Sequence, residues 1–245
     1  MKKIIFIFSC LVQSICTANT KFINEIPDFT QSNIVGKGSG NGQQYCAPVS
    51  VSNSLVWLNR NKNQQETLIH KLASKAYMNT SLKNGTGTTG VLKGVDRISR
   101  ELFGGYLNLE YEGWRKHPKK YSRGIKQPNI EKIKSFTTEK SVAWVNVGWY
   151  KYNSNKNEYK RIGGHWVSLV GSTDNQLVFH DPAPRAGNKF SNEYVNYSKI
   201  SSGRLTGKKY GLPIAAKGYI KLNNGMHKKK SADAAIIDGV VYLSL

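Results

Sequence analysis

Helical periodicity fills the first half of this sequence and strand patterning fills the second, a division that restricts the fold more than any other feature. Across 47–59, Val51, Leu55 and Leu58 recur at helical spacing, and Pro48 is acceptable in a first turn. Asn63 followed by Glu66 has the form of a capping box, ahead of an apolar face made by Leu68, Ile69, Leu72, Ala73 and Ala76. Thr88 or Thr89 can cap a third helix carrying Val91, Val95, Ile98 and Leu102, with Gly104 and Gly105 as stops. A short fourth helix begins at Pro128 and carries Ile130, Ile133 and Phe136. Then 141–152, 166–171, 177–180, 218–222 and 235–245 read as strands rich in Val, Ile, Tyr and Trp, with an earlier strand at 107–114. Helices first and strands afterwards predict an α+β fold, N-terminal helices packed on a mostly antiparallel sheet. No repeat and no Pro/Ser linker divides 19–245, which is expected to form one domain.

That core has to hold without disulfides. Lys2 and Lys3, an apolar stretch over 4–15 and the small residue Ala18 read as a cleavable signal peptide spanning 1–18. Cys10 and Cys16 leave with it, so the mature chain keeps only Cys46. The apolar run is too short for a comfortable membrane span, and Gln13 and Ser14 interrupt it. Gln13, Ser14 and Ile15 are a poor lead-in to a lipid-modified Cys16, so a secreted or periplasmic address is expected. A lone thiol in an oxidising compartment is a liability unless it is buried and inert or has a task.

The chain is strongly basic, with 36 Lys+Arg against 15 Asp+Glu and a formal charge of +21. Removing 1–18 takes away Lys2 and Lys3 and no acid, so 21 − 2 leaves +19. Such a field favours nonspecific contact with anionic surfaces, although lysines scattered along the whole chain fit compositional bias equally well. No pattern indicates specific nucleic-acid recognition, and nothing fixes the oligomeric state. The glycine-rich stretch at 36–42 lacks the Gly-Lys-Ser/Thr ending of a phosphate loop and reads as a flexible connection.

Cys46 stands at the start of the first predicted helix, where unpaired amides and the helix dipole favour thiolate over thiol. His165 lies in Gly-Gly-His-Trp-Val-Ser-Leu-Val-Gly at the mouth of an apolar strand. After a turn at 172–175, a second strand ends in His180-Asp181-Pro182. In an antiparallel hairpin centred on Thr173, His165 and Asp181 are equidistant from the turn and face each other. Asp181 would then fix the tautomer of His165, whose other nitrogen would serve Cys46 as base and a leaving amine as acid. A zinc site from His165, His180 and Asp181 lacks the usual ligand spacing, and no cofactor is expected. His180 alternates to the opposite face and reads as packing or an edge residue; His70, His117 and His227 read as solvated or locally satisfied.

These blocks resemble a known family. Gln-Tyr-Cys-Ala-Pro with the helix that follows is similar to the nucleophile segment of papain-like bacterial cysteine peptidases, closest to the bacteriocin-processing, double-glycine peptidase-like branch. Gly-Gly-His-Trp-Val-Ser-Leu-Val-Gly and Phe-His-Asp-Pro resemble its histidine and aspartate segments, in the same order. The resemblance covers about 26–182 and leaves 183–245 without a counterpart. It implies a papain-like fold, a peptide or protein substrate, Cys46 as nucleophile, His165 as base and acid, and Asp181 as the orienting group. It also implies a glutamine donor to the oxyanion: Gln31, in Ile-Pro-Asp-Phe-Thr-Gln, matches the lead-in if the glycine stretch is an insertion, with Gln43 and Gln44 as alternatives nearer the cysteine. The same triad would also serve a wall-peptide amidase or a transglutaminase-like acyl transferase, and the scaffold could instead present a non-catalytic binding or toxin surface.

Overall fold

Among the described residues, four helices and ten strands are arranged as helices on one side of a sheet that closes on itself. The computed structural model describes residues 20–23, 25–33, 42–183, 192–207 and 213–245. The expected signal peptide at 1–18 and nearly all of the glycine stretch lie outside them.

The helices are α1 (Cys46–Leu58), α2 (Gln65–Ala73), α3 (Thr88–Phe103) and α4 (Ile130–Ser135). Helix α4 starts at Ile130 rather than Pro128, and α2 and α3 also start differently from the sequence expectation. A 3-10 turn at Lys62–Gln64 absorbs Asn63, so α2 begins at Gln65 with Gln64 before it and no side-chain cap. Gly87 stands before α3, also without a side-chain cap, so neither Thr88 nor Thr89 serves. At the other end of α3, Gly104 adopts φ 73°, the left-handed stop its position predicts. For α4, Asn129 accepts hydrogen bonds from the backbone N–H of Glu131 (2.8 Å) and Lys132 (3.2 Å).

The strands are β1 (Lys21–Phe22), β2 (Asn108–Gly113), β3 (Ser141–Asn153), β4 (Glu158–Ser172), β5 (Gln176–His180), β6 (Glu193–Lys199), β7 (Arg204–Gly207), β8 (Ile214–Ala215), β9 (Ile220–Asn224) and β10 (Ala234–Ser244). Their pairings run β3–β4–β5–β6–β9–β10 and return from β10 to β3, all antiparallel, which closes a six-stranded barrel. The 183–245 segment is therefore integral, because β6, β9 and β10 complete the ring.

Alternation along the strands explains two separate cores. Ala143, Val145, Val147 and Trp149 of β3 point inward with Val167 and Leu169 of β4, Phe179 of β5 and Ile237, Val240 and Tyr242 of β10. Val142 and Trp144 of β3, Trp166 of β4, and Val241 and Leu243 of β10 face outward, against Val51, Leu55, Val95 and Ile98 of the helices. With both faces covered, β3 is buried continuously from Ser141 to Tyr150.

Helix α1 is buried from Ala47 to Val56, so small polar residues line its contact with the sheet. Ser50 Oγ donates to the Trp166 carbonyl at 2.9 Å, Ser168 Oγ donates to the Ser50 carbonyl at 2.6 Å, and Trp144 Nε1 reaches both Ser50 O and Ser54 Oγ at 3.2 Å. These bonds satisfy polar groups that would be costly to bury alone, and they fix where the helix start sits relative to β4.

Candidate functional site

Cys46 is the first residue of α1 and is half-buried. The helix has no acidic residue in its first turn, and Tyr45 before it offers no side-chain cap. The positive end of the helix and its unpaired amides are thus left to the cysteine.

His165 lies on β4 opposite Val147 of β3, on the inward face shared with Val167 and Leu169 but at the barrel's mouth. Its Nε2 lies 2.5 Å from Asp181 Oδ1. Asp181, just past the end of β5, is fully buried and accepts a second bond from the Ala183 N–H at 2.8 Å. The Nε2 contact leaves Nδ1 available on the other side of the ring, and Cys46 is near enough to the imidazole to act on its protonation. Burial works against a charged imidazole here, but the charge and hydrogen bond of Asp181, and then those of Cys46, outweigh it and push the His165 pKa up to about 10. Trp149 stacks on the ring at 5.9 Å between centroids and 19° between planes. A buried indole on that side keeps water off the histidine–aspartate pair and so strengthens it.

The direct cross-strand pairing expected of His165 and Asp181 needs correction. The register is Ser168 with His180 and Ser172 with Leu177, because the turn closes between Thr173 and Gln176 and its centre falls beyond Thr173. Asp181 is therefore offset by two positions from the place opposite His165. An even offset keeps both side chains on one face of the sheet, so they still meet diagonally.

The glutamines are divided. Gln31 is buried beside Asp181: its N–H donates to the Pro182 carbonyl at 2.8 Å, and its Nε2 donates to the Gln43 carbonyl at 2.8 Å. Its Oε1 is buried and has no partner among the described residues. Gln44, not Gln31, lines the groove that holds Cys46. Gln43 is exposed.

That groove has a volume of about 600 Å³ and runs between the 84–88 loop and the 160–164 stretch of β4. Asn146, at its floor, donates to the His165 carbonyl at 3.3 Å. Trp166 Nε1 ties the 84–88 loop to β4 through the Thr86 carbonyl at 3.1 Å.

The other histidines sort differently. His180 is buried, with Nδ1 3.1 Å from the Pro27 carbonyl and Nε2 2.8 Å from Asn192 Oδ1; burial outweighs both bonds and lowers its pKa. His117 is locally satisfied against the Arg115 carbonyl at 2.6 Å. His227 was missed by sequence reasoning: it is exposed, yet its ring lies 6.2 Å from that of His165 and 6.1 Å from Trp149. The lysines around it mark an exposed loop, and nothing in the pattern tells which site the loop lies against.

Comparison with known families and with curated proteins finds no match to this chain. Among solved structures, a Bacillus anthracis chain described as a C39-like peptidase aligns with a TM-score of 0.43 at 10% identity, over 92% of this chain and 98% of that one. A likeness of that size carries no weight for function, and the site rests on its own geometry.

Proposed function

We propose that this chain is an exported, papain-like cysteine peptidase that hydrolyses peptide bonds with Cys46, His165 and Asp181. The observation that carries the reading is a buried imidazole–carboxylate pair beside a thiol that stands at a helix start and lines a groove.

The chemistry follows from that arrangement. The Cys46 thiolate attacks the scissile carbonyl carbon, forming a C–S bond and an oxyanion. The His165 imidazolium gives its proton to the leaving nitrogen as the C–N bond breaks, leaving a thioester. Neutral His165 then takes a proton from water, whose oxygen attacks the thioester; the acid product departs and the thiolate and imidazolium are restored. Asp181 stays ionised and holds the ring. The Cys46 N–H, an unpaired donor of the first helical turn, would face the oxyanion together with a glutamine amide. The family likeness points to Gln31 for that amide, which keeps a second Nε2 hydrogen beyond its bond to Gln43. Its place in the groove lining points to Gln44.

Incubating the mature protein with a diverse peptide library and reading products by mass spectrometry tests the proposal. Cleavage by the native chain and none by folded Cys46→Ala is expected. Equal cleavage by both, or none by either, would sink it. N-terminal sequencing of the exported protein is expected to begin at Asn19.

A further inference from the structure

The groove beside Cys46 has a one-signed wall. Arg115, Lys116, Lys160 and Arg161 line it, and no carboxylate does among the described residues. Lys116 and Lys160 are exposed and make no ion pair among the described residues. Arg161 is different, being built into place. Its Nε donates to Asp238 Oδ2 at 2.5 Å, and Asp238 is wholly buried, receiving also the Tyr150 hydroxyl and Trp114 Nε1 (3.1 Å).

Two β-bulges create this pair. Asp238 is the extra residue where β10 shifts against β3, and Ile162 is the extra residue where β4 shifts against β3. The close approach requires glycine at 148, where a Cβ would collide with the Asp238 carboxylate. Held by Nε, the guanidinium lays its Nη2 against Gly164, where a Cβ would also collide. Its terminal nitrogens have no hydrogen-bond partner among the described residues, and Gly164 directly precedes His165. A rigid donor fork is thus presented beside Gly164, in the groove that Cys46 also lines and that carries surplus positive charge.

We infer that the groove selects peptides carrying a carboxylate beside the scissile bond, received by the terminal nitrogens of Arg161, with Lys116 and Lys160 adding attraction around it. This rests on the peptidase reading above. The carboxylate could belong to an Asp or Glu side chain or to the peptide's own C-terminus.

The test uses one peptide frame in four forms: Glu or Gln flanking the cleaved bond, and a nearby C-terminus free or amidated. Glu is expected to exceed Gln by roughly 10- to 100-fold in kcat/KM, the range of a charge-assisted hydrogen bond, and the ratio should shrink with added salt. A preference for the free over the amidated terminus alone would assign the carboxylate to the chain end. Arg161→Lys keeps a cation for Asp238 but loses the fork, and should bring the Glu/Gln ratio toward one. Lys116→Gln and Lys160→Gln, at exposed positions, should each lower it by at most about fivefold. Equal cleavage of all four forms, or a ratio unchanged in Arg161→Lys, would overturn the inference. If no form is cut, the peptidase reading fails, and binding of the four peptides to Cys46→Ala still decides the subsite: equal affinities would reject it.

Discussion

Asp181 and Asp238 are both buried and both hold a cation, yet only one of those cations can release its proton. Asp238 grips an arginine, which stays charged at any pH the protein survives. Asp181 grips a histidine that also touches a thiol. The first pair fixes a shape and the second can move a proton, so burial of a carboxylate does not by itself mark chemistry. Asp96 makes the same point from the helical side. Burial pushes its pKa up, but bonds from Lys120, Tyr121, Tyr106 and Arg100 outweigh this and hold the carboxyl well below its ordinary range. No nucleophile stands beside it.

The comparison breaks most sharply at the cations. His165→Ala should remove nearly all turnover while the fold persists, since both thiol activation and leaving-group protonation go with the ring. Asp238→Asn should do the reverse. Leaving Arg161 buried without its counter-charge should cost about 3–5 kcal/mol of stability, read from denaturant unfolding. Turnover per folded molecule should survive on peptides with neutral flanking residues.

Asp181→Asn should reduce turnover by less than the ~10⁴ known for the equivalent change in serine enzymes, because the thiolate also has the helix start. Its signature lies in pH dependence. The folded-state pKa of His165 is raised above its unfolded value, so the pair's stabilisation is complete below about 6.5. It is lost as pH rises toward about 10. Unfolding midpoints should fall across that window in the native chain and fall less in Asp181→Asn. Alanine at the amide that serves the oxyanion should lower turnover by roughly 10²–10³; Gln31→Ala and Gln44→Ala, assayed side by side, identify which it is. The smallest effect concerns the excess lysine. Binding to acidic vesicles or wall polymers should be weak and disappear as salt shortens the screening length to about 8 Å. No binding at low salt would mark the charge as compositional.

Much of this was legible in the sequence where the signal is local. Helix α1 and the β4–β5 hairpin follow from patterns within single segments, with Cys46 at the start of α1 and Asp181 just past β5, whereas His165 lies midway along β4, which starts well before the apolar run at 166–171. Barrel closure was not legible, because β3 and β10 are buried on both faces and lose the alternation that would tell inside from outside. Strands β6 and β7 are short and carry polar residues, which hid them in the tail. The Arg161–Asp238 pair joins residues 77 apart through two bulges, and no pattern announces a bulge in advance. His227 illustrates the same limit, since its place beside His165 depends on how β9 and β10 close the ring.

The central claim is that Cys46, His165 and Asp181 act as one nucleophilic unit. It is tested most directly by the rate of Cys46 alkylation by iodoacetamide between pH 5 and 9, followed by intact mass in the folded native chain, Asp181→Asn and His165→Ala. Fast labelling at and below neutral pH is expected in the native chain, slower labelling in Asp181→Asn, and in His165→Ala a rate that rises only toward alkaline pH. Identical rate profiles in the native chain and His165→Ala would contradict it.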